Sequence, residues 1–351
     1  MPDGTIPPNN TPASPLHLVP RHVCSSIDEL LGDATDRRPF LTSDSKSGSS
    51  FERVSIEGEA HILKYVHVDD DWTMRIFGDI GPRPLLVWQV GLMDIAPDLI
   101  EHGTVGVAGG LGRHGWGAAI LMRDLTDNMV PPGDDVISIE HHLRFIDHLA
   151  GLSARAWGWH DNVGLLPYST RWHMFDDRMV DAERDRGFPD IVPKIAGDGW
   201  QRFAVRAPTH VRDVIDALKH DSGALVSALR TTPSTFLHGD LKFGNMGALA
   251  DGRTVLIDWS YPGEGPVCHD LAWYLAINAA RMPGSMSKED TIHALQSALV
   301  RHGIAVEGWW HRQVALCLLG ALVQFGWEKA FGDDVEFHWW CDRTRDAVQY
   351  L

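Results

Sequence analysis

His238-Gly239-Asp240-Leu241-Lys242-Phe243-Gly244-Asn245 sets an amide five positions after a carboxylate, and Ile257-Asp258-Trp259 sets a second carboxylate thirteen positions after that amide. Those residue types at those offsets are what a magnesium-dependent phosphoryl transfer needs, because its chemistry is mostly positioning and charge neutralisation. Asp240 is the candidate catalytic carboxylate, accepting or orienting the proton of an acceptor hydroxyl. Asn245 and Asp258 offer the hard oxygen ligands that Mg²⁺ prefers. Taken singly, Asp240 reads as a turn residue and Asp258 as a strand-end cap; the joint spacing favours the chemistry. His238 and Gly239 are read as shaping the loop, glycine by permitting a tight backbone and histidine by anchoring it through hydrogen bonds.

The runs Phe236-Leu237-His238-Gly239-Asp240 and Val255-Leu256-Ile257-Asp258 resemble the signature of the aminoglycoside phosphotransferase-like, or phosphotransferase enzyme, family. The resemblance is densest from Phe236 to Tyr274 and looser from Phe40 to Trp157. It implies an α+β, bilobal protein-kinase-like fold, with a small five-stranded antiparallel N-lobe and a larger, mainly helical C-lobe. It implies ATP and Mg²⁺ as cofactors and a small-molecule hydroxyl acceptor such as an aminoglycoside, amino sugar or related metabolite or antibiotic.

On that resemblance Lys64, in Ile62-Leu63-Lys64-Tyr65-Val66, is the lysine that pairs with the α- and β-phosphates; the alternative is an edge or outward-facing strand residue. Ser47 and Gly48 fall in the phosphate-covering loop by position, although Ser/Gly clusters are often only loops. Backbone groups around Met122 to Asp124 would meet adenine at the hinge. Lys242 either neutralises charge on the transferred phosphate or is a solvated loop lysine. Asp270 resembles a buried brace of the catalytic loop. One departure concerns the glutamate that normally pairs with the phosphate-binding lysine: Pro82–Ile95 contains none, and the nearby acids are Asp79 and Asp94. The partner of Lys64 stays open.

With 351 residues the chain can bury a large core and divide into lobes. A hydrophobic content of 44% with 22% charged residues is ordinary for a globular protein. A formal charge of −16 argues against nucleic-acid partners and is compatible with a cationic acceptor. Cys24, Cys268, Cys317 and Cys341 are scattered without a Cys-x-x-Cys pair, so four reduced thiols in a cytoplasmic protein are expected. No signal peptide is visible, and the longest apolar run, Val314 to Trp327, is too short for a bilayer. His141, His142 and His148 do not form a His-Glu-x-x-His zinc pattern.

Composition marks a Pro-rich disordered tail (1–20), and the resemblance implies a nucleotide-binding lobe (21–122) and a catalytic and substrate-binding lobe (123–351). A capping box at Ser26 opens a short helix that stops at Gly32. Strands are expected at Phe40–Ser43, Phe51–Ile56, His61–Val66, Thr104–Ala108 and Gly117–Met122, with a helix at Leu85–Ile95 after the third. Further helices are expected at Ile139–Trp157, Thr209–Arg230, Leu271–Ala280, Lys288–His302, Trp309–Phe331 and Val335–Tyr350.

The acceptor is expected between the insertion over 155–200 and the last helices. Trp309, Trp310, Trp327, Trp339 and Trp340 read mainly as core, or else as a stacking wall. Glu328, Asp333, Asp334 and Asp342 read as ammonium holders or as a solvated face. The sequence thus points to an ATP-dependent O-kinase of small molecules. The alternatives are a protein kinase, which Lys242 would suit, and a nucleotide-binding pseudokinase acting as an interaction module.

Overall fold

A computed structural model describes Leu16 and residues 18–41, 46–187 and 191–351. The expected disordered tail therefore lies mostly outside the described residues. The last part of that stretch is packed: a Cβ on Gly91 would come within 2.4 Å of the Val19 carbonyl oxygen. Helix α1 (Ile27–Leu31) begins at Ser26, whose side chain accepts from the Glu29 N–H, and ends at Gly32, as the sequence implies.

Strands β1 (Thr35–Pro39), β2 (Ser50–Ile56) and β3 (Glu59–Val66) lead to helices α2 (Trp72–Phe77) and α3 (Arg83–Val90). Then come β4 (Ile100–Glu101), β5 (Thr104–Leu111) and β6 (Gly117–Arg123). Five of these strands form one antiparallel sheet in the order β1-β2-β3-β6-β5. The β2–β3 turn is Glu57-Gly58, with φ of +52° and +85°. Two left-handed residues are what a two-residue hairpin between right-twisted strands requires, and they set the register Ile56 opposite Glu59. Alternation along β3 then fixes the faces. Leu63 packs with Val54, Ala119 and Leu121 in one cluster, while Ile62 and Val66 join the main core with Ile120 and Met122. Lys64 shares the second face and is buried, so it is not an outward-facing lysine.

Two expectations for this lobe need correction. The first strand is Thr35–Pro39, not Phe40–Ser43, of which Thr42 and Ser43 lie outside the described residues. β1 is exposed throughout and bulged between Thr35 and Arg38, so no apolar alternation marks it. Two helices rather than one follow β3. α2, capped by Asp71 and closed by Gly78, is too short to show a period, and the expected Leu85–Ile95 helix breaks at Gly91 before a short 3₁₀ turn, Leu92–Asp94.

The rest is mainly helical: α4 (Ile139–Arg155), α5 (Asp177–Arg186), α6 (Ile191–Arg206), α7 (Thr209–His220) and α8 (Gly223–Leu229). Four short strands follow, β7 (Ser234–Leu237), β8 (Met246–Ala248), β9 (Thr254–Leu256) and β10 (Gly263–Pro266), then α9 (Cys268–Asn278), α10 (Lys288–Arg301), α11 (Trp310–Lys329) and α12 (Asp334–Val348). The helix expected over Thr209–Arg230 is split, because the Asp221 carboxylate accepts from the Gly223 N–H and turns the chain between α7 and α8. α11 is buried on almost every side, which explains its lack of amphipathic pattern. Among the described residues no helix is long and apolar enough to cross a membrane. All four cysteines are free.

Candidate active site

β7 runs antiparallel to β10, and the chain leaves β7 at Leu237 straight into His238-Gly239-Asp240. After a 3₁₀ turn at Phe243–Asn245 the β8–β9 hairpin pairs Met246 with Leu256. That register lays Ile257 beside Asn245, with the Ile257 N–H donating to the Asn245 carbonyl at 3.0 Å. The hairpin is thus what brings Asp258 next to Asn245 across thirteen residues of sequence.

Helix α9 braces this loop at both ends. In its first turn the Asp270 carboxylate accepts the N–H groups of His238 and Gly239, each at 3.0 Å. In its last turn Asn278 accepts the Phe243 N–H at 2.9 Å and donates to the Leu241 carbonyl at 2.8 Å. Nothing in the motif pointed to Asn278; a polar residue near the end of an otherwise apolar helix was the only available signal. His238 is fully buried. Its Nδ1 accepts from the Asp240 N–H at 3.2 Å and its Nε2 donates to the Ile257 carbonyl at 3.0 Å, which fixes the tautomer. Burial lowers its pKa to about 4 against the pull of Asp240 and Asp258, so the ring is neutral. Trp259 stacks on Phe236 (5.7 Å between centroids) and meets His238 edge-on at 4.6 Å, so it packs the loop from beneath.

Gly239 has φ +84°, and a Cβ there would sit 2.2 Å from the Tyr261 carbonyl oxygen. Only glycine tolerates both the backbone angle and the approach. Asp258 also has a left-handed backbone, at φ +64°, a conformation uncommon for non-glycine residues and found often at functional sites.

The side chains of Asp240, Lys242, Asn245, Asp258 and Lys64 line one cavity of about 470 Å³ between the lobes. Asn245 donates through Nδ2 to the Asp240 carboxylate at 2.9 Å and to the Asp240 carbonyl at 3.0 Å. Its amide oxygen is thereby the atom left for a ligand. Lys242 Nζ stands 3.3 Å from the Asp240 carboxylate. Lys64 Nζ donates to Asp258 Oδ1 at 2.6 Å, and Ser260 Oγ donates to the same oxygen at 2.5 Å. Burial alone would raise the Asp258 pKa; Lys64, then Lys242 and the hydroxyl, outweigh it and hold the carboxyl well below the usual range.

The partner of Lys64 is therefore Asp258, not an acid on a helix. Asp79 pairs with Arg83 at 3.3 Å, and Asp94 is taken by Arg21 and His102. Ser47 lines the cavity, whereas Gly48 is pressed on Asp70, whose carbonyl oxygen would lie 2.0 Å from a Cβ at that position. Met122 also lines the cavity. Asp124 does not. Its carboxylate pairs with Arg53 and its N–H donates to Ala60, while the Arg123 N–H donates to Gly103.

The far end of the cavity is a wall the sequence did not foretell. Trp72, Phe175, Phe325, Trp273 and Tyr261 follow one another with centroid spacings of 5.9, 5.4, 4.7 and 6.1 Å. They come from α2, the segment before α5, α11, α9 and the loop after Asp258. A bidentate ion pair between Arg75 and the buried Glu183 joins α2, which carries Trp72, to α5, the helix that follows Phe175, with a shortest contact of 2.8 Å. The tryptophans of the last fifty residues are absent from the cavity lining, and Trp310, Trp327 and Trp340 are core. The acids suggested there are elsewhere too. Asp333 caps α12, Asp334 pairs with Arg206, Glu328 with Lys329 and Asp342 with Arg345.

The model of the phosphotransferase enzyme family matches residues 166–298, a span that contains the loop from His238 to Asn245, Asp258 and Asp270. The resemblance read from the motifs holds over that span. No curated protein sequence matches the chain. Among solved structures, a microcompartment-associated aminopropanol kinase is 9% identical, with 91% of this chain and 93% of that chain covered and a TM-score of 0.52. At that identity the likeness is one of fold. A choline kinase from Streptococcus pneumoniae (12% identity, 92% and 95% covered, TM-score 0.47) is also similar. So is a macrolide 2'-phosphotransferase from Brachybacterium faecium (14%, 90% and 98%, TM-score 0.42).

Proposed function

We propose that the chain is an ATP-dependent kinase of small molecules, with Asp240 orienting the acceptor hydroxyl and receiving its proton. The observation that carries this reading is the convergence on one cavity of Asp240, Asn245 and Asp258, from one loop and hairpin, with Lys64, which lies 194 residues from Asp258 in the chain. The free amide oxygen of Asn245 and the carboxylate of Asp258 are hard donors side by side, and they fit Mg²⁺. When bound, the ion would neutralise phosphate charge and fix the nucleotide's phosphate geometry. Lys64 supplies a buried positive charge to the phosphates, and Lys242 supplies another next to the reacting carboxylate.

Adenine would lie against Ile62 and Met122. Because the N–H groups of Arg123 and Asp124 are already donated within the protein, Leu125 is the next backbone position able to meet the base. Resemblance implies an aminoglycoside, amino sugar or related metabolite or antibiotic as acceptor. A protein substrate fits poorly, since the segment between Asp258 and Asp270 is consumed by β10 pairing with β7 and leaves no platform for a peptide.

The test is Mg·ATP-dependent mass gain of one phosphate on a panel of hydroxyl compounds, with Asp240→Asn as control. Turnover should fall by about 10²–10⁴ in the variant while nucleotide binding persists. A chain that binds no Mg·ATP refutes the reading.

A further inference from the structure

Among the described residues, one grouping of dissimilar donors is used neither by the phosphoryl chemistry nor by the core. His22, Cys24 and Glu29 each offer one atom (an imidazole nitrogen, a thiol sulfur and a carboxylate oxygen), and the three atoms lie within 4.8 Å of one another. None of these residues lines the cavity between the lobes.

Local structure accounts for the grouping. The chain from Arg21 to Cys24 runs beside β5, where the Cys24 N–H donates to the Val107 carbonyl at 2.8 Å and the Cys24 carbonyl accepts from Gly109 at 3.0 Å. Cys24 thereby pairs with Ala108. Val23 turns to the main core, so His22 and Cys24, two positions apart, fall on the other side. Trp88 pins the backbone at His22 by donating Nε1 to its carbonyl at 2.7 Å. Glu29 enters from the first turn of α1. Its Oε2 accepts from the N–H and the hydroxyl of Ser25, each at 2.7 Å, which leaves Oε1 facing His22 Nε2 at 2.8 Å.

An exposed His–Glu pair by itself contributes about 0–1 kcal/mol and has no need of a sulfur beside it. A tetrahedral zinc site has bonds of about 2.0–2.3 Å, so its ligand atoms stand about 3.3–3.8 Å apart. The side chains of His22 and Glu29 are 75% and 40% exposed, and their rotation about a pinned backbone closes the difference. Sulfur with imidazole selects zinc over magnesium, which takes oxygen ligands.

We propose that His22, Cys24 and Glu29 form a zinc site beside β5, with water in the fourth position, separate from the place that Asn245 and Asp258 offer magnesium. The Zn–S bond forms as the thiol proton passes to solvent. The ion ties α1 to the segment along β5 and stabilises that end of the sheet.

The experiment titrates the full chain, stripped of metal, with Zn²⁺ by calorimetry and with Co²⁺ by near-ultraviolet absorption. One Zn²⁺ per chain should bind with Kd of about 1 μM or tighter. Co²⁺ should give a thiolate charge-transfer band, which reports Cys24 because the other three cysteines are buried. Cys24→Ser should abolish the band and weaken zinc about 10²-fold or more. His22→Ala, at an exposed position, should weaken zinc as much and keeps the test open if Cys24→Ser folds poorly. Ser25→Ala keeps all three ligands and removes a hydroxyl that orients Glu29, so about tenfold is expected. Mg·ATP binding should be unchanged in every variant. A wild type that binds no zinc, a missing cobalt band, or zinc affinity that survives Cys24→Ser and His22→Ala overturns the proposal, the last placing the ion on histidines elsewhere.

Discussion

Asp270→Asn separates the stability of the fold from the placement of the catalytic loop. Burial raises the Asp270 carboxyl from 3.8 to about 6, opposed by Arg171 and by the His238 and Gly239 amides and reinforced by Asp240. A rise of that size on a fully buried group means that its ionised form costs about 3 kcal/mol of stability at neutral pH. Asparagine removes that cost. It also removes one of two charge-assisted acceptors, worth about 1.5–3 kcal/mol, and turns an NH₂ toward a backbone N–H. The two effects nearly cancel, so urea denaturation at pH 7 should place the variant within about 2 kcal/mol of wild type.

Activity should not cancel. The loop carrying Asp240 hangs on those two amides, and misplacement by about 1 Å costs on the order of 10²-fold in kcat. The pH profile supplies the second readout. Protonation of Asp270 below about pH 6 removes an acceptor from one amide, so the wild type should lose kcat with a midpoint near 6, and the variant should lack that limb. The stability sign is opposite. The native pKa lies above the unfolded one, so this group's contribution is fully present below about 3.8 and is lost as pH rises to 6. The variant should therefore lose ground against wild type on acidification. Wild-type kcat in Asp270→Asn, with the acid limb retained, would refute the bracing argument.

Lys64→Met should weaken Mg·ATP binding about 10²-fold by calorimetry, because it removes a buried cation and leaves Asp258 without its partner; unchanged affinity would remove Lys64 from the site. Gly239→Ala must place a Cβ against the Tyr261 carbonyl in a left-handed backbone. A loss of about 2–4 kcal/mol in denaturation, with activity lost as well, is expected from strain plus overpacking. His142 and His238 are both buried, and burial lowers each from 6.5 to about 4. Their contribution is fully present above pH 6.5 and is lost as pH falls toward 4, about 3 kcal/mol for each. His142→Gln should flatten the acid side of a thermal-stability profile, and an unchanged profile would show that the ring is not held neutral.

The candidate site was legible because it is local. Asp240, Asn245 and Asp258 lie within one loop and one hairpin, so their spacing in sequence is their spacing in space. The helices from α9 to α12 were readable to within a few residues for a similar reason: long apolar runs and caps such as Ser287 mark them. The partner of Lys64 was not readable, since expectation looked for it on a neighbouring helix and it came from 194 residues away. β1, all exposed, and α2, a turn and a half long, had no pattern to show. The aromatic wall was invisible because its five rings come from as many segments, and each alone looks like a core residue. The tryptophan-rich C-terminus drew attention by composition and proved to be mostly core.

That contrast bears on how charge should be read in such a chain. Net charge sums the solvated surface, where Asp and Glu are individually cheap and serve solubility as readily as recognition. Specificity depends on the few charges that a ligand desolvates, where each unpaired group costs several kcal/mol. Here the surface is acidic, whereas in the cleft Lys64 pairs with Asp258, Lys242 with Asp240 and Arg123 with the buried Glu101. What remains at the far end of the cavity is an aromatic surface and the edge of Asp240. The C-terminal acids are neutralised by arginine and lysine partners or spent on a helix cap, and they stand outside the cavity lining.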